Sequence, residues 1–311
     1  MIEARDFSVD GSPVACDVYS PDGPTLASVV IVHGLAEHSA RYAPIAEALV
    51  DRGWTVFAYD QRGHGRTATQ DEDLGYFADA EGWDRVVEDL RKVVDAAKAA
   101  APEAPLAVLA HSMGSLVLQD YLARYKGAGL DAAVLSGTSG PPPPVATLGR
   151  YVARFEKWRQ GARGKSSLID KLAFGAYNGA FKPARTDFDW LSRDPAQVDL
   201  YVEDPKCGFL SSNQLWIDLL DAVPNLAKPE RLARFRRDLP IYVFSGDQDP
   251  VSEGGKTVKT LVELYRKAEL DVELKLYPEG RHEMLNESNR ADVLHDLTRW
   301  LSKHLPTTSA A

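Results

Sequence analysis

Ser112 is the residue in this chain whose surroundings most clearly point to chemistry. It lies in Ala110-His111-Ser112-Met113-Gly114, after the apolar run Pro105-Leu106-Ala107-Val108-Leu109 and before a helix-like stretch over 115–122. A serine hydroxyl is a weak nucleophile at neutral pH until a base beside it takes its proton. A strand, a sharp turn with serine at its apex and a helix lift that hydroxyl clear of the backbone and aim the helix N-terminus at it, the arrangement of a nucleophile elbow. Ala110 stands where the usual G-x-S-x-G pattern has its first glycine. Alanine is the next smallest side chain, so the tight approach is kept.

The serine needs a base, and the base needs an orienting acid. In chains built on such an elbow the acid and then the histidine follow the serine in sequence. Three histidines lie beyond the elbow: His282, His295 and His304. The last two fall in an amphipathic terminal stretch, where a solvated or packed histidine is the ordinary outcome. His282 instead sits in the turn Tyr277-Pro278-Glu279-Gly280-Arg281-His282-Glu283, just after the final apolar run, and is the expected base. The acid comes from Ser245-Gly246-Asp247-Gln248-Asp249-Pro250-Val251, where two aspartates compete. The G-x-x-D spacing, followed by an apolar residue and a helix, selects Asp249 and leaves Asp247 as a turn residue bonding local N–H groups.

A developing oxyanion needs two donors. Met113 supplies one backbone N–H. The second comes from His33-Gly34-Leu35-Ala36-Glu37-His38, where Gly34 allows the turn and Leu35 offers the N–H. His33 reads as a structural hydrogen-bonding group for that loop. The loop Asp60-Gln61-Arg62-Gly63-His64-Gly65 lacks the spacing of a nucleotide-binding loop, so Arg62 and His64 are expected to make buried hydrogen bonds. No i, i+4 histidine pair with a carboxylate appears among His33, His38 and His64, and neither a metal nor a cofactor is expected.

The elements that must position these groups alternate. Apolar runs at 14–19, 28–33, 55–59, 106–110, 132–136, 241–245 and 272–277 read as strands, several of them buried on both faces as in a parallel sheet. Helical patterns fall at 42–52, 82–100, 115–125, 255–267 and 290–304, with Trp83, Val86, Val87, Leu90, Val93 and Val94 on one stripe. This is an α/β chain with a doubly wound, mostly parallel sheet and a ligand site at the carboxyl ends of its strands. The regularity breaks near 140–238. Pro141-Pro142-Pro143-Pro144 opens that break as a stiff exit, and the rich aromatic content beyond it predicts a mostly helical insertion over the sheet edge. The division is core 1–139, insertion 140–238 and core 239–311.

Bulk composition narrows the partners. The 311 residues are 44% hydrophobic and 26% charged, with a net charge of −9, which disfavours nucleic acid and anionic membrane surfaces. Cys16 and Cys207 are far apart and read as two buried free thiols. The first residues show no basic stretch ahead of an apolar core, and no run approaches the roughly 20 apolar residues of a membrane span, so a cytoplasmic protein is expected.

Three segments together resemble the monoacylglycerol lipase and lysophospholipase-like branch of the α/β-hydrolases: His33-Gly34-x-x-Glu37-His38-Ser39-x-Arg41-Tyr42, Asp60-Gln61-Arg62-Gly63-His64-Gly65 and His111-Ser112-Met113-Gly114. Leu191-Ser192-Arg193-Asp194-Pro195, Asp204-Pro205-Lys206-Cys207, Gly246-x-x-Asp249 and Arg281-His282-Glu283-x-x-Asn286-Glu287 extend the likeness to about Trp300. The resemblance implies a catalytic triad of Ser112, Asp249 and His282, with Leu35 and Met113 as oxyanion donors. It also implies a helical cap, inserted after the sixth core strand, over a tunnel for one acyl chain. Glu37 and Arg41 match positions that hold glycerol hydroxyls in the family, the alternative being a structural ion pair that fixes the oxyanion loop. Leu285 stands where the animal enzymes have a further histidine, which leaves other small esters open.

The expected reaction is ester hydrolysis through an acyl-enzyme, on a medium or long acyl chain carried by a small polar alcohol. Trp190, Phe209 and Trp216 are expected to line the tunnel, where each buried CH₂ contributes roughly 0.8 kcal/mol. The expected partner is a small lipid-like ester and not nucleic acid, with transient membrane contact through the cap left open. A short-chain esterase, an aminopeptidase-like amidase and a non-catalytic binding protein are the alternatives.

Overall fold

In the computed structural model, which describes residues 1–9, 12–142 and 146–305, the apolar runs pair into one eight-stranded sheet. The strands are β1 (Ile2–Val9), β2 (Ser12–Tyr19), β3 (Ala27–Val32), β4 (Trp54–Tyr59), β5 (Leu106–His111), β6 (Ala132–Ser136), β7 (Ile241–Gly246) and β8 (Val272–Tyr277). Their spatial order is β1-β2-β4-β3-β5-β6-β7-β8. The β1/β2 and β2/β4 pairs are antiparallel, and every later pairing is parallel.

Strand side chains alternate between two apolar layers, as the period of two requires. Val29 and Ile31 of β3 join the layer under α1 (Ala43–Val50) and α10 (Arg290–His304). Val30 and Val32 join the layer under α2 (Gly82–Ala100), α3 (Met113–Tyr125) and α9 (Lys256–Lys267). The predicted stripe on α2 is the buried one. All residues of β3, β4, β5, β6 and β7 are buried, which is why these strands read as continuous apolar runs. Strand β1 escaped the sequence reading because Glu3, Arg5 and Asp6 interrupt its apolar pattern. A ladder with β2 holds it at the sheet edge.

Between β6 and β7 the chain forms α4 (Ala146–Gln160), α5 (Ser167–Phe174), α6 (Pro195–Glu203), α7 (Asn213–Leu226) and the short α8 (Pro229–Leu232). Their starts are written in the sequence. Ser166 accepts the Ile169 N–H, Ser212 accepts that of Leu215, and Asp194 accepts that of Ala196 just before Pro195 opens α6. Helix α7 packs against α4 and against α2 and α3 of the sheet layer. Pro143 and Pro144 of the proline run lie outside the described residues. Both cysteines are buried, and among the described residues no helix is long and apolar enough to cross a membrane.

The parallel register brings the functional loops to one edge. Val32 pairs with Ala110, His111 with Ser136, Ser136 with Phe244 and Gly246 with Tyr277. The segments after β3, β5, β7 and β8, which carry Leu35, Ser112, Asp249 and His282, therefore leave the sheet side by side.

Candidate active site

Ser112 links β5 to α3 with φ 50° and ψ −120°, a conformation that L-residues rarely adopt. The turn works only with small neighbours. A Cβ on Gly114 would lie 2.5 Å from the carbonyl oxygens of Val32 and His33, and one on Gly34 would lie 3.1 Å from the Ser112 Cβ. Ala110, at the first small position, is fully buried. Helix α3 begins at Met113, two residues earlier than its apolar pattern indicates, because the turn is completed within Ser112 alone.

The three loops converge. The Ser112 Oγ lies 2.9 Å from His282 Nε2, and His282 Nδ1 lies 3.1 Å from each carboxylate oxygen of Asp249. Asp249 is fully buried and also accepts the Ser245 hydroxyl at 3.0 Å and the Val251 N–H at 2.9 Å. Its acceptor-only carboxylate fixes the tautomer: Nδ1 carries the proton and Nε2 faces the serine with its lone pair. Burial pulls the His282 pKa down, but Asp249, Glu283 and Glu37 together outweigh it and hold the value above normal. His111, its ring centroid 4.8 Å away, is pushed down to about 4 by burial and by His282, so it stays neutral.

Asp247 is a turn residue. Its carboxylate accepts the Glu279 N–H at 2.7 Å, and Gln248 N–H donates to the Gly280 carbonyl at 2.9 Å, tying the acid loop to the histidine loop. His295 is exposed on α10, and His304 bonds the Trp300 carbonyl at 2.9 Å. Neither belongs to this constellation.

The chain at Gly34 is held from both sides. Gln61 N–H donates to His33 Nε2 at 2.9 Å, so His33 Nδ1 is the donor to the Gly34 carbonyl at 2.7 Å. The Gly34 N–H donates to Glu37 at 2.6 Å. Among the described residues neither Leu35 nor Met113 gives its N–H to another backbone group. Arg62 makes a paired contact with buried Asp89 at 2.6 and 2.9 Å, and His64 Nδ1 bonds the Arg62 carbonyl at 2.8 Å.

Glu37 and Arg41 are taken up by a partner that sequence reasoning did not identify. Arg41 Nη1 donates at 2.6 Å to both Glu37 and Glu283, and Nη2 donates to Glu283 at 2.7 Å. Tyr42 hydroxyl adds a bond to Glu37 at 3.0 Å. Burial pushes both carboxyls up, but the Arg41 charge wins and holds each below its normal range. Glu283 directly follows His282, and that adjacency was the available signal.

Trp190 lies with its ring centroid 5.2 Å from His282, and Phe174 stacks on it at 6.1 Å. Trp216 reaches the same Phe174 at 5.6 Å, while Phe209 stands apart, 5.4 Å from the His64 ring. His38, Asp204 and Cys207 place three ligand atoms within 4.8 Å of one another. Burial raises the pKa of the Cys207 thiol.

A family model described as serine aminopeptidase, S33 (Hydrolase_4) matches residues 23–289. The chain is 33% identical over 310 residues to a monoacylglycerol lipase of Mycolicibacterium smegmatis, covering 96% of this chain and 95% of that protein. It is 25% identical over 307 residues to a monoglyceride lipase of Homo sapiens, covering 98% and 91%. A highly thermostable carboxyl esterase from Bacillus coagulans, solved in complex with glycerol, is similar with a TM-score of 0.89 at 26% identity, covering 98% of this chain and 99% of that one.

Proposed function

We propose, from the premise that the chain belongs to the Hydrolase_4 family (serine aminopeptidase, S33) and is an α/β-hydrolase-fold carboxylic-ester hydrolase of the monoacylglycerol lipase type, that Ser112, Asp249 and His282 cleave monoacylglycerols. The observation that carries the assignment is the relay of short contacts, 2.9 Å from Ser112 to His282 and 3.1 Å from His282 to Asp249.

In the proposed reaction His282 Nε2 takes the serine proton as Oγ attacks the ester carbonyl. The N–H groups of Leu35 and Met113 receive the oxyanion, each donor contributing about 3–4 kcal/mol of transition-state stabilisation. Collapse breaks the C–O bond to the alcohol, which leaves with the proton from His282. Water, deprotonated by His282, then attacks the acyl-serine, and collapse of the second oxyanion breaks the bond to Oγ, which takes the proton back from His282 as the fatty acid is released. Asp249 stabilises the imidazolium formed in each half.

Residues 140–238 act in this reading as a cap, with Trp190 and Trp216 walling the acyl path and Phe209 farther out. Glu37 and Arg41 are assigned to bracing the oxyanion loop, because their charged atoms already answer one another and Glu283. Leu148, Tyr151, Phe155 and Trp158 of α4 recur at i, i+3, i+7 and i+10, and all are exposed, Trp158 at 80%. They form the apolar face we assign to transient contact with the lipid surface that holds the substrate.

A fluorophosphonate probe tests the chemistry: it should label the wild type and not Ser112→Ala. Absence of label on folded wild type overturns the triad. A panel of monoacylglycerols, lysophospholipids and p-nitrophenyl esters tests the substrate. A preference for acetyl over octanoyl esters, or for lysophospholipid over glyceryl ester, overturns the monoacylglycerol assignment and leaves the esterase.

A further inference from the structure

Tyr201 on α6 takes no part in the reaction as derived, yet its hydroxyl donates to the Ala36 carbonyl at 2.9 Å. The Gly208 N–H donates to the same carbonyl, also at 2.9 Å. Two residues further on, His38 Nε2 meets the Asp204 carboxylate at 2.8 Å. Three bonds thus join residues 201–208 to residues 36–38, directly after Leu35. The Tyr201 ring is buried, and the Arg41 guanidinium lies 4.9 Å over it.

Ala36 needs this support. Its φ is 56°, in the left-handed region that penalises any residue with a Cβ and persists where surrounding bonds impose it. His33 and Glu37 hold the Gly34 side of the loop, on the carbonyl and the N–H respectively. In a trans peptide the Leu35 N–H points opposite to the Gly34 carbonyl, so its aim depends on that plane and on the chain that follows it. The chain that follows is Ala36, and both donors to its carbonyl come from the segment between β6 and β7.

We infer that Tyr201 is a positioning residue: by clamping the Ala36 carbonyl it keeps the Leu35 N–H on the oxyanion. This rests on the oxyanion assignment proposed above. It makes the frame of the oxyanion hole partly the property of the segment over the sheet edge, so that a shift of α6 loosens a donor it does not touch.

The test is Tyr201→Phe, which removes one hydroxyl and keeps the ring. Losing an oxyanion donor outright costs about 10²–10³ in kcat, and Gly208 still holds the carbonyl, so a fall of about tenfold is expected on p-nitrophenyl octanoate, with KM within about twofold. An alkyl boronic acid, which adds Ser112 to become a tetrahedral anion, should bind weaker by the same factor. Ala36→Gly removes the penalty for positive φ, so in that background Tyr201→Phe should cost no more than about twofold. Unchanged kcat and boronate affinity, a raised KM at constant kcat, or the same loss in both backgrounds overturns the inference. Should Tyr201→Phe not fold, Asp204→Ala removes the neighbouring bond to His38 at a partly exposed position and should weaken boronate binding at constant KM, and unchanged affinity there overturns the clamp equally. A wild type that hydrolyses no ester and takes no fluorophosphonate refutes the hydrolase chemistry instead. An active, labelled wild type with an indifferent Tyr201→Phe refutes only the clamp.

Discussion

Arg41→Met separates the two roles open to the charged residues beside the oxyanion loop. The substitution keeps most of the side-chain bulk and removes the charge that Glu37 and Glu283 share at 2.6–2.7 Å. Those carboxylates are 3% and 5% exposed and the arginine side chain 10%, so solvent does little to screen the loss. Stripping one partner from a buried pair costs about 3–5 kcal/mol, because the remaining charge stays desolvated and unanswered. At roughly 2–3 °C per kcal/mol for a chain of this size, Tm should fall by about 6–15 °C at pH 8.

The pH dependence has a definite sign. In the wild type both carboxyls are held below their normal range, so their contribution exists above the ordinary glutamate pKa and is lost as pH falls through the lowered values. In Arg41→Met only neutral donors, the Gly34 N–H and Tyr42 hydroxyl on Glu37 and the Asn286 amide on Glu283, remain to oppose burial, and the folded variant takes up protons at higher pH than the wild type. The Tm gap should therefore be widest near pH 8 and narrow towards about pH 5. Thermal scans at the two pH values read this directly, and a constant gap, or one below about 2 °C, refutes the buried network. Kinetics supply the other half. A brace predicts equal fractional losses on glyceryl and p-nitrophenyl esters, whereas a loss concentrated on glyceryl esters returns Arg41 to the alcohol site.

Three further outcomes follow from the same coordinates. Because the base must be neutral and its pKa is held above normal, kcat/KM should rise with pH through a midpoint above the ordinary histidine value of 6.5, and a midpoint below it contradicts the Asp249 contact. Gly114→Ala sets a Cβ 2.5 Å from two backbone carbonyls, so the elbow must shift; about 1–3 kcal/mol of stability and at least about tenfold in kcat should be lost, and near-wild-type turnover would show the turn to be more tolerant than its geometry. Trp158→Ser should weaken binding to phosphatidylcholine vesicles severalfold while leaving hydrolysis of a water-soluble ester unchanged, and equal loss of both would mean that α4 acts through stability rather than contact.

The legible parts of this molecule are those where chemistry and geometry are local in sequence. The elbow could be read because strand, serine and glycine are contiguous, and the buried strands because both their faces are apolar. Strand β1 could not, since its pairing with β2 is a backbone ladder that side-chain pattern barely records. The role of Glu283 was hidden for a different reason. Its neighbour in space, Arg41, lies 242 residues away, and a carboxylate beside a loop histidine has the same local appearance whether it is solvated or locked. Tyr201 is more hidden still: the group it holds is a main-chain carbonyl, which every residue possesses and no composition reveals.

That contrast has a physical consequence for how the site is built. The side chains proposed to react, Ser112, Asp249 and His282, come from loops that the sheet register aligns, and a register is fixed by apolar burial along whole strands. The oxyanion loop has no such ladder. It is held by single bonds, two from within the loop itself (His33 and Glu37) and two from the segment between β6 and β7 (Tyr201 and Gly208). Losing one such bond is expected to turn a donor slightly without undoing the sheet, a displacement to which transition-state stabilisation responds far more steeply than stability does. Removing one of these single bonds, as in Tyr201→Phe, should therefore lower turnover with little change in Tm, whereas Arg41→Met in the buried charge network and substitutions in the strands beneath Ser112 should move both together.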